Sequence, residues 1–289
     1  MKPAIKLFTA LFFFSIFNVG YAQRKPENKF STPYGSNSAV GKYATINGAK
    51  IYYEVYGTGK PLLLIHGNSG DITSMDNQIE YLKKKYKVIV ADSRGHGKSE
   101  LKTDSLTYTQ IANDWEGLVN HLKLDTISIV GWSDGGIVGL KMGISLNCNI
   151  DKIVTMGANL RPDTSAVNAS AINEAEKMME FITARINEKD TTRPWKLGKQ
   201  VVGLLLNQPT IETKELSKIK AKVLVMAGDK DIIKNEHSVE IFENIPNAHL
   251  CIMPGETHFT PKANPELFNA MVDNFLSKPF VRPNSDFNN

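Results

Sequence analysis

Short apolar runs recur along most of the chain, and stretches with helix-compatible patterns separate them. An apolar run of about 4–8 residues between turn signals is typical of a strand that is buried on both faces. Such runs lie at residues 62–66, 87–91, 126–130, 152–156, 223–227 and 249–253. The helix-compatible stretches lie at residues 74–85, 108–121, 137–146, 235–244 and 265–275. Strands that alternate with helices predict an α/β fold with a mostly parallel sheet and helices on both faces.

Two segments with alternating polar and apolar residues, 42–46 and 50–56, precede these runs and flank Asn47-Gly48. Asn-Gly is favoured in the two-residue type I′ turn because both of its residues adopt positive φ readily. The segments therefore predict an antiparallel hairpin, which brings the expected sheet to eight strands.

The alternation stops between residues 160 and 216, where the patterns at 169–187 and 194–206 are both helical. We therefore expect a small helical insertion, which we call the lid, within a core formed by residues 39–159 and 217–278. The apolar faces of the two lid helices fit either ordinary packing or the lining of a pocket, and both interpretations stay open. These faces consist of Met178, Met179, Phe181, Ile182, Val201, Val202, Leu204 and Leu205.

Residues 1–22 have the pattern of a secretory signal peptide, not of a folded element. Lys2 and Lys6 precede an apolar run at 7–19, and small residues lead up to Ala22. This run is shorter than the ~20 residues that span a bilayer. We therefore expect cleavage, a periplasmic or secreted mature protein, and no stable membrane insertion after cleavage. Polar residues 23–38 are expected to form a flexible linker, and residues 279–289 a disordered tail.

Composition and charge narrow the function classes. The chain has 289 residues, of which 42% are hydrophobic, as in ordinary soluble globular proteins. Its formal net charge of +4 falls to +2 once the signal peptide, with Lys2 and Lys6, is removed. No basic cluster alternates with aromatic residues, so nucleic-acid binding has no support. Cys148 ends a central helix and Cys251 lies in the last strand, so we expect two buried, unpaired thiols.

The most informative motif is Gly131-Trp132-Ser133-Asp134-Gly135, which fits the pattern G-x-S-x-G. A predicted strand precedes it and a predicted helix follows it, which is the context of a nucleophile elbow. The glycines allow two backbone segments to approach closely, so the serine can occupy a strained turn with an exposed hydroxyl. The positive end of the following helix favours negative charge that develops there. Ser133 is therefore the predicted nucleophile.

A serine nucleophile needs a base and an acid that orients the base. Asp229 and Asp231 follow the apolar run at 223–227, and His258 follows the run at 249–253. Both positions lie beyond the carboxyl end of a strand, where open α/β sheets place their chemistry. His258 is the predicted base. Asp231 is the favoured acid because it lies further out, and Asp229 is the alternative that caps or braces the turn.

Two backbone N–H groups are expected to form an oxyanion hole. The strand at 62–66 ends in His66-Gly67-Asn68, and we expect the N–H of Asn68 to act together with the N–H of Asp134. His66 is expected to brace this loop by hydrogen bonding and to take no part in proton transfer.

These motifs, in this order, resemble those of the α/β-hydrolase fold family over roughly residues 40–278. The resemblance implies the catalytic triad Ser133, Asp231 and His258. The short motif around Ser133, together with Met156-Gly157-Ala158-Asn159, resembles the biphenyl-hydrolase-like or valacyclovir-hydrolase-like subgroup. In that subgroup the acidic residue after the nucleophile is associated with an α-amino group on ester substrates. The resemblance thus implies a substrate-binding role for Asp134, and the alternative is that Asp134 bonds to lid or loop backbone.

The expected function is an exported serine hydrolase that cleaves a small carboxylic ester through an acyl-enzyme, without a metal or cofactor. A carbon–carbon bond hydrolase or a cofactor-free haloperoxidase would use the same triad, and a non-catalytic binding protein is the alternative from another class. Epoxide hydrolases and dehalogenases of the family have Asp at the elbow, where this chain has Ser133. The sequence does not determine the oligomeric state.

Overall fold

A computed structural model describes residues 29–282. They form one eight-stranded sheet with the order β1-β2-β4-β3-β5-β6-β7-β8. The first three strands of this order are joined in antiparallel fashion, and all later neighbours are parallel. The strands are β1 (Lys42–Ile46), β2 (Ala49–Tyr56), β3 (Lys60–Ile65), β4 (Tyr86–Ala91), β5 (Thr126–Trp132), β6 (Asn149–Met156), β7 (Lys222–Lys230) and β8 (Ala248–Thr257). The predicted fold class is confirmed.

Helices connect the parallel strands, and they lie close to the predicted positions. They are α1 (Asp76–Leu82), α2 (Tyr108–His121), α3 (Asp134–Ser145), α4 (Ala169–Asn187), α5 (Trp195–Asn207), α6 (Asn235–Glu243), α7 (Thr260–Ala263) and α8 (Pro265–Ser277). The largest difference concerns α1, because a 3-10 turn at Ile72–Met75 replaces the start of the helix predicted at 74–85. The hairpin is present, and Asn47 and Gly48 have φ of 46° and 80°, as a type I′ turn requires.

The sheet lies between two apolar layers because successive residues of a strand face opposite sides. In β3, Leu63 belongs to the layer that packs against α2, α3 and α6, whereas Leu64 belongs to the layer that packs against α1 and α8. Both side chains are fully buried. This two-sided core holds the carboxyl ends of β3, β5, β6, β7 and β8 in fixed relative positions.

Part of the expected flexible linker is bound to the sheet. Tyr34 is only 4% exposed, and the N–H groups of Gly35 and Asn37 donate to the carboxylate of Glu54 at 2.8 and 3.0 Å. Glu54 is completely buried within β2, and a buried carboxylate needs hydrogen-bond donors. The prediction is therefore wrong for residues 29–38, while residues 23–28 and the predicted signal peptide at 1–22 lie outside the described residues.

The expected disordered tail also differs where it is described. The ring of Phe280 stacks on His249 with 4.4 Å between the centroids, and Arg282 donates to the carbonyl of Pro246 at 3.1 Å. Apolar contact with β8 therefore fixes residues 279–282, and residues 283–289 lie outside the described part. Cys148 and Cys251 are unpaired, as predicted, but they are half-buried.

The lid helices α4 and α5 pack mainly against each other and against the core. Ile182, Trp195 and Val202 form a small apolar cluster with Met178 and Met179. The side chains of Val201 and Leu204 join the main core instead. Within residues 29–282, no helix combines the length and the apolar character that a bilayer crossing needs.

Candidate active site

The turn between β5 and α3 presents Ser133 in the strained conformation that the motif predicts. Its φ and ψ are 56° and −119°, which a residue with a side chain rarely adopts. Two hydrogen bonds hold the turn: the Ser133 N–H donates to Met156 at 2.7 Å, and its carbonyl accepts from the Gly136 N–H at 2.8 Å. The serine is thereby kept at the edge of the sheet, ahead of the first turn of α3.

The glycines on either side of Ser133 are required by close backbone contacts. A Cβ atom on Gly131 would collide with the carbonyl of Gly135, and a Cβ atom on Gly135 would collide with the carbonyl of Ile65. Any larger residue at either position would push α3 away from β3 and β5. The elbow therefore depends on both glycines, as the sequence pattern indicates.

The structure brings the three predicted triad residues together. The Oγ of Ser133 lies 2.9 Å from Nε2 of His258, and Nδ1 of His258 lies 2.7 Å from Oδ1 of Asp231. Asp231 and His258 are 5% and 4% exposed. The Nδ1–H of His258 donates to the carboxylate, which leaves Nε2 to accept the hydroxyl proton of Ser133.

Asp231, and not Asp229, pairs with the histidine, and β7 has an irregular register between Gly228 and Lys230, just before Asp231. The chain then turns through residues 228–234, which we call the acid loop. The N–H of Ile233 donates to Oδ1 of Asp231 at 3.0 Å, so this oxygen has a second donor beside His258. The carbonyl of Asp229 accepts from the side chain of Asn235 at 3.3 Å. This geometry matches the sequence-based choice between the two acids.

The loop after β3 lies directly against the nucleophile. A Cβ atom on Gly67 would be 3.1 Å from Cβ of Ser133. Within residues 29–282, no acceptor takes a hydrogen bond from the N–H of Asn68 or of Asp134, so both groups are available to an oxyanion. His66 braces the loop as predicted: Nδ1–H donates to the Gly67 carbonyl at 2.8 Å, and Nε2 accepts from the Ser93 N–H at 3.0 Å.

The carboxylate of Asp134 is buried and has two neutral donors. The Nδ2 of Asn68 donates to Oδ2 at 3.0 Å, and the hydroxyl of Tyr108 provides a second hydrogen bond. Burial raises the pKa of Asp134 above its ordinary value, and these hydrogen bonds act in the opposite direction. The expected alternative was a bond to lid or loop backbone, but the partners are the two side chains.

A cavity of about 100 Å³ opens above Ser133, between the core and the lid. Asp134 and His258 also line it, and most of the remaining surface is apolar. The apolar residues in the lining include Val167, Ile172, Ala175, Leu205, Ile232, Ile233 and Phe259. The sequence left two roles open for the apolar residues of the lid helices, packing or lining of a pocket. Leu205 lines this cavity, whereas Ile182, Val201, Val202 and Leu204 are buried packing residues.

Sequence reasoning missed several residues that hold the triad in place. Gly157 has a φ of 64°, and a Cβ atom there would lie 2.6 Å from Nδ1 of His258, so the site requires glycine. The indole N–H of Trp132 donates to the carbonyl of His258 at 2.7 Å. Asn168 and Tyr108 donate to Asp231 and Asp134. A glycine at the end of a predicted strand was a usable signal for Gly157, but the other contacts join residues that are distant in sequence.

The described residues contain no group of three or more His, Cys, Asp or Glu side chains arranged to hold a metal ion.

Comparison with known proteins supports the same class of chemistry. Residues 60–179 match the α/β hydrolase fold family. The human serine hydrolase BPHL is 27% identical over 259 residues, which cover 84% of this chain and 88% of that protein. The pimeloyl-(acyl-carrier protein) methyl ester esterase of Legionella pneumophila is 24% identical over 249 residues, which cover 78% of this chain and 99% of that protein. The esterase EaEST from Exiguobacterium antarcticum has a similar structure, with a TM-score of 0.70 at 22% identity over 82% of this chain and all of that one.

Proposed function

Because the chain belongs to the α/β-hydrolase fold family and is an enzyme of the hydrolase class, we propose that it cleaves a small carboxylic ester through Ser133, His258 and Asp231. The observation that carries this proposal is the continuous line of hydrogen bonds from Asp231 through His258 to Ser133, which ends at the floor of the cavity. The names of the relatives, a serine hydrolase and a methyl ester esterase, support the same reaction type.

Acylation uses the Ser133 hydroxyl as the nucleophile. As Oγ attacks the ester carbonyl carbon, Nε2 of His258 takes its proton, and the carbonyl oxygen becomes an oxyanion. The N–H groups of Asn68 and Asp134 donate to this oxyanion, and Asp231 stabilises the imidazolium. The intermediate collapses when the bond between carbonyl carbon and leaving oxygen breaks. His258 then protonates the departing alcohol, and the acyl group stays on Ser133.

Deacylation repeats these steps with water as the nucleophile. Nε2 of His258 takes a proton from water as the water oxygen attacks the acyl carbon. The second tetrahedral intermediate uses the same two N–H donors. When the bond to Oγ breaks, His258 returns the proton to Ser133, and the carboxylic acid leaves.

Within this proposal, Asp134 is the candidate contact for an α-amino group on the substrate. Asp134 is one of the residues that line the cavity, and the two hydrogen-bond partners of its carboxylate, Asn68 and Tyr108, are both neutral. A buried carboxylate without a cation is costly, and a substrate ammonium group beside the carbonyl would offset that cost. The preference for α-amino esters stays a prediction, and its test is given in the Discussion.

The test of the reaction type combines turnover with covalent labelling. Wild-type protein is expected to hydrolyse short-chain aryl esters and to react with a fluorophosphonate at Ser133, as peptide mapping would show. Ser133→Ala should lose both properties, whereas Ser277→Ala should keep them, because Ser277 is an exposed residue at the end of α8. Absence of turnover and of labelling in folded wild-type protein would contradict the proposal. Cleavage of a carbon–carbon bond next to a ketone, with the esters inert, would favour the carbon–carbon hydrolase instead.

We also propose that the enzyme acts outside the cytoplasm. This proposal rests on the sequence of residues 1–22, where two lysines precede an apolar run and small residues.

A further inference from the structure

The entry to the lid runs alongside the acid loop and is hydrogen-bonded to it. The N–H of Asn168 donates to the carbonyl of Ile232 at 2.8 Å, and the N–H of Lys234 donates to the carbonyl of Ala166 at 2.8 Å. Val167 and Ile233 form an antiparallel bridge between these two bonds. The loop that carries Asp231 is therefore paired with a segment that lies more than sixty residues earlier in the chain.

Asn168 occupies the N-cap position of α4, but its side chain does not cap the helix. An asparagine at an N-cap normally accepts a hydrogen bond from a backbone N–H in the first turn. Here no such bond forms, although the backbone of Asn168 has the extended conformation of a cap, with φ of −63° and ψ of 133°. Instead, Nδ2 donates to the backbone carbonyl of Asp231 at 2.9 Å. The side chain stabilises the acid loop and not its own helix.

The hydrogen bond from Asn168 holds the backbone of Asp231, the residue whose carboxylate orients His258. The backbone N–H of Asn168 binds Ile232, and its side chain binds Asp231, so two consecutive carbonyls of the acid loop are held by one residue. The next residue, Ile233, donates its N–H to the Asp231 oxygen that faces His258. A shift of the backbone at Asp231 would therefore move the carboxylate relative to the imidazole.

We propose that Asn168 is a positioning residue for Asp231. It does not touch the reacting atoms, and it acts by holding the main chain of the acid loop so that the carboxylate orients His258. The inference rests on the proposed triad. Val167, Ile232 and Ile233 also line the cavity, so the same paired segment forms part of the substrate site.

The test uses two substitutions that place a helix-capping side chain at this position and remove the amide donor. Asn168→Ser and Asn168→Asp both place a good N-cap residue before α4, and neither can donate to Asp231 as the Nδ2 group does. We expect the new capping side chain to offset much of the lost hydrogen bond, so each variant should unfold within a few degrees of the wild-type temperature. The kcat for a neutral aryl ester should nevertheless fall by about tenfold or more, with KM nearly unchanged, because small errors in catalytic geometry are costly.

The uncharged variant also gives a pH readout. In Asn168→Ser, a misplaced Asp231 stabilises the imidazolium less well, so the acidic limb of kcat/KM against pH should move to lower pH. The matched control is Asn207→Ser, since Asn207 ends the other lid helix and donates to Gly203 at 2.9 Å. This control should have wild-type kcat and an unshifted profile.

Proton NMR provides a readout that needs no substrate. The Nδ1 proton of His258 should resonate far downfield in wild-type protein, because it is donated to Asp231, and upfield of that position in Asn168→Ser. An unchanged resonance, a wild-type kcat in both variants, or a loss of kcat accompanied by a large fall in melting temperature would each overturn the inference. If wild-type protein neither cleaves esters nor reacts with a fluorophosphonate, the proposed function fails, and the NMR comparison still decides whether Asn168 positions Asp231.

Discussion

Asp231 and Asp229 lie two residues apart in the same loop. The same substitution at each position therefore tests whether orientation of His258, and not only negative charge in the loop, is needed for turnover. Asp231→Asn should lower kcat by about 10³–10⁴-fold, because an amide favours the wrong tautomer of His258. Asp229→Asn should have a much smaller effect, since Nδ1 of His258 pairs with Asp231. Steady-state kinetics with an aryl ester would measure both effects. A severe loss in Asp229→Asn together with normal turnover in Asp231→Asn would assign the acid to the wrong residue.

Substitution of Asp134 tests whether the enzyme distinguishes esters by an amino group. If its carboxylate binds a substrate ammonium, α-amino esters should exceed their des-amino analogues by about tenfold or more in kcat/KM, the scale of one such interaction. Asp134→Asn should reduce this preference more than it reduces turnover of neutral esters, since Asn68 and Tyr108 keep a partner. Equal kcat/KM for the two ester series in wild-type protein would leave Asp134 a structural residue.

Burial of Asp134 also predicts a pH-dependent penalty on stability. Because burial raises the pKa of Asp134, the folded state holds the proton more tightly than the unfolded state does. The free energy of unfolding therefore falls as pH rises from the unfolded pKa, near 4, through the folded one. Asp134→Asn removes this penalty, so the melting temperature should increase more at pH 7 than at pH 4. An equal change at both pH values would contradict a destabilising buried charge.

The buried carboxylate of Glu54 is one of the contacts that hold residues 29–38 against the sheet, beside the burial of Tyr34 and the hydrogen bond from Lys29 to Asn77. Glu54 accepts from Tyr52 and Tyr56 within its own strand, both at 2.7 Å, and from Gly35 and Asn37 of this segment. A chain that begins at Val40 loses the last two donors, and the free energy of unfolding should fall by about 3 kcal/mol or more, since hydrogen bonds to a charged group are worth roughly 1.5–3 kcal/mol each.

Urea denaturation would measure this effect against a chain that begins at Gln23, which keeps the segment. Adding Glu54→Gln to the shortened chain should recover part of the loss, because an unpaired buried amide costs less than an unpaired buried carboxylate. Equal stability of the two chain lengths would show that the segment contributes nothing to the fold.

The elements that the sequence predicts well are those whose signals are local. Helix α2 has its predicted bounds because Thr107 caps it, with the N–H of Gln110 donating to the threonine hydroxyl. The 3-10 turn before α1 was missed, since its position depends on Asp92, which accepts from the N–H of Ile72. The two terminal segments were misjudged for the same reason: Glu54 and His249, which bind them, are distant in sequence.

The candidate site also contains residues that the sequence predicts and residues that only the packing of the molecule brings into place. Ser133, Asp231 and His258 follow strands in an order and spacing that can be read from the chain, because parallel strands bring their carboxyl ends together. The residues that position this triad could not be predicted from the order and spacing of the strands. Asn168 lies in the lid and reaches Asp231 across 63 positions, and Tyr108 reaches Asp134 from another helix. These contacts depend on how the lid and the helices pack together, and the hydrophobic pattern of the sequence does not predict that packing.

Export of the protein is consistent with the way its first described residues bind the sheet. Cleavage after Ala22 leaves six residues ahead of Lys29, where the bound segment begins, so the donors to Glu54 remain in the mature chain. In a bacterial host with a periplasm, the full chain should yield protein whose intact mass corresponds to an N-terminus at or near Gln23. Cleavage beyond Asn37 is not expected, since it would leave the buried carboxylate short of donors.

The matched control interrupts the apolar run, with Leu11→Arg and Phe14→Arg, and leaves residues 29–282 unchanged. A charge in the run opposes its insertion into the export machinery, so this variant should stay in the cytoplasm at full length while its aryl esterase activity persists. Full-length wild-type protein confined to the cytoplasm would contradict export. Equal distribution of the two proteins would show that residues 1–22 do not direct it.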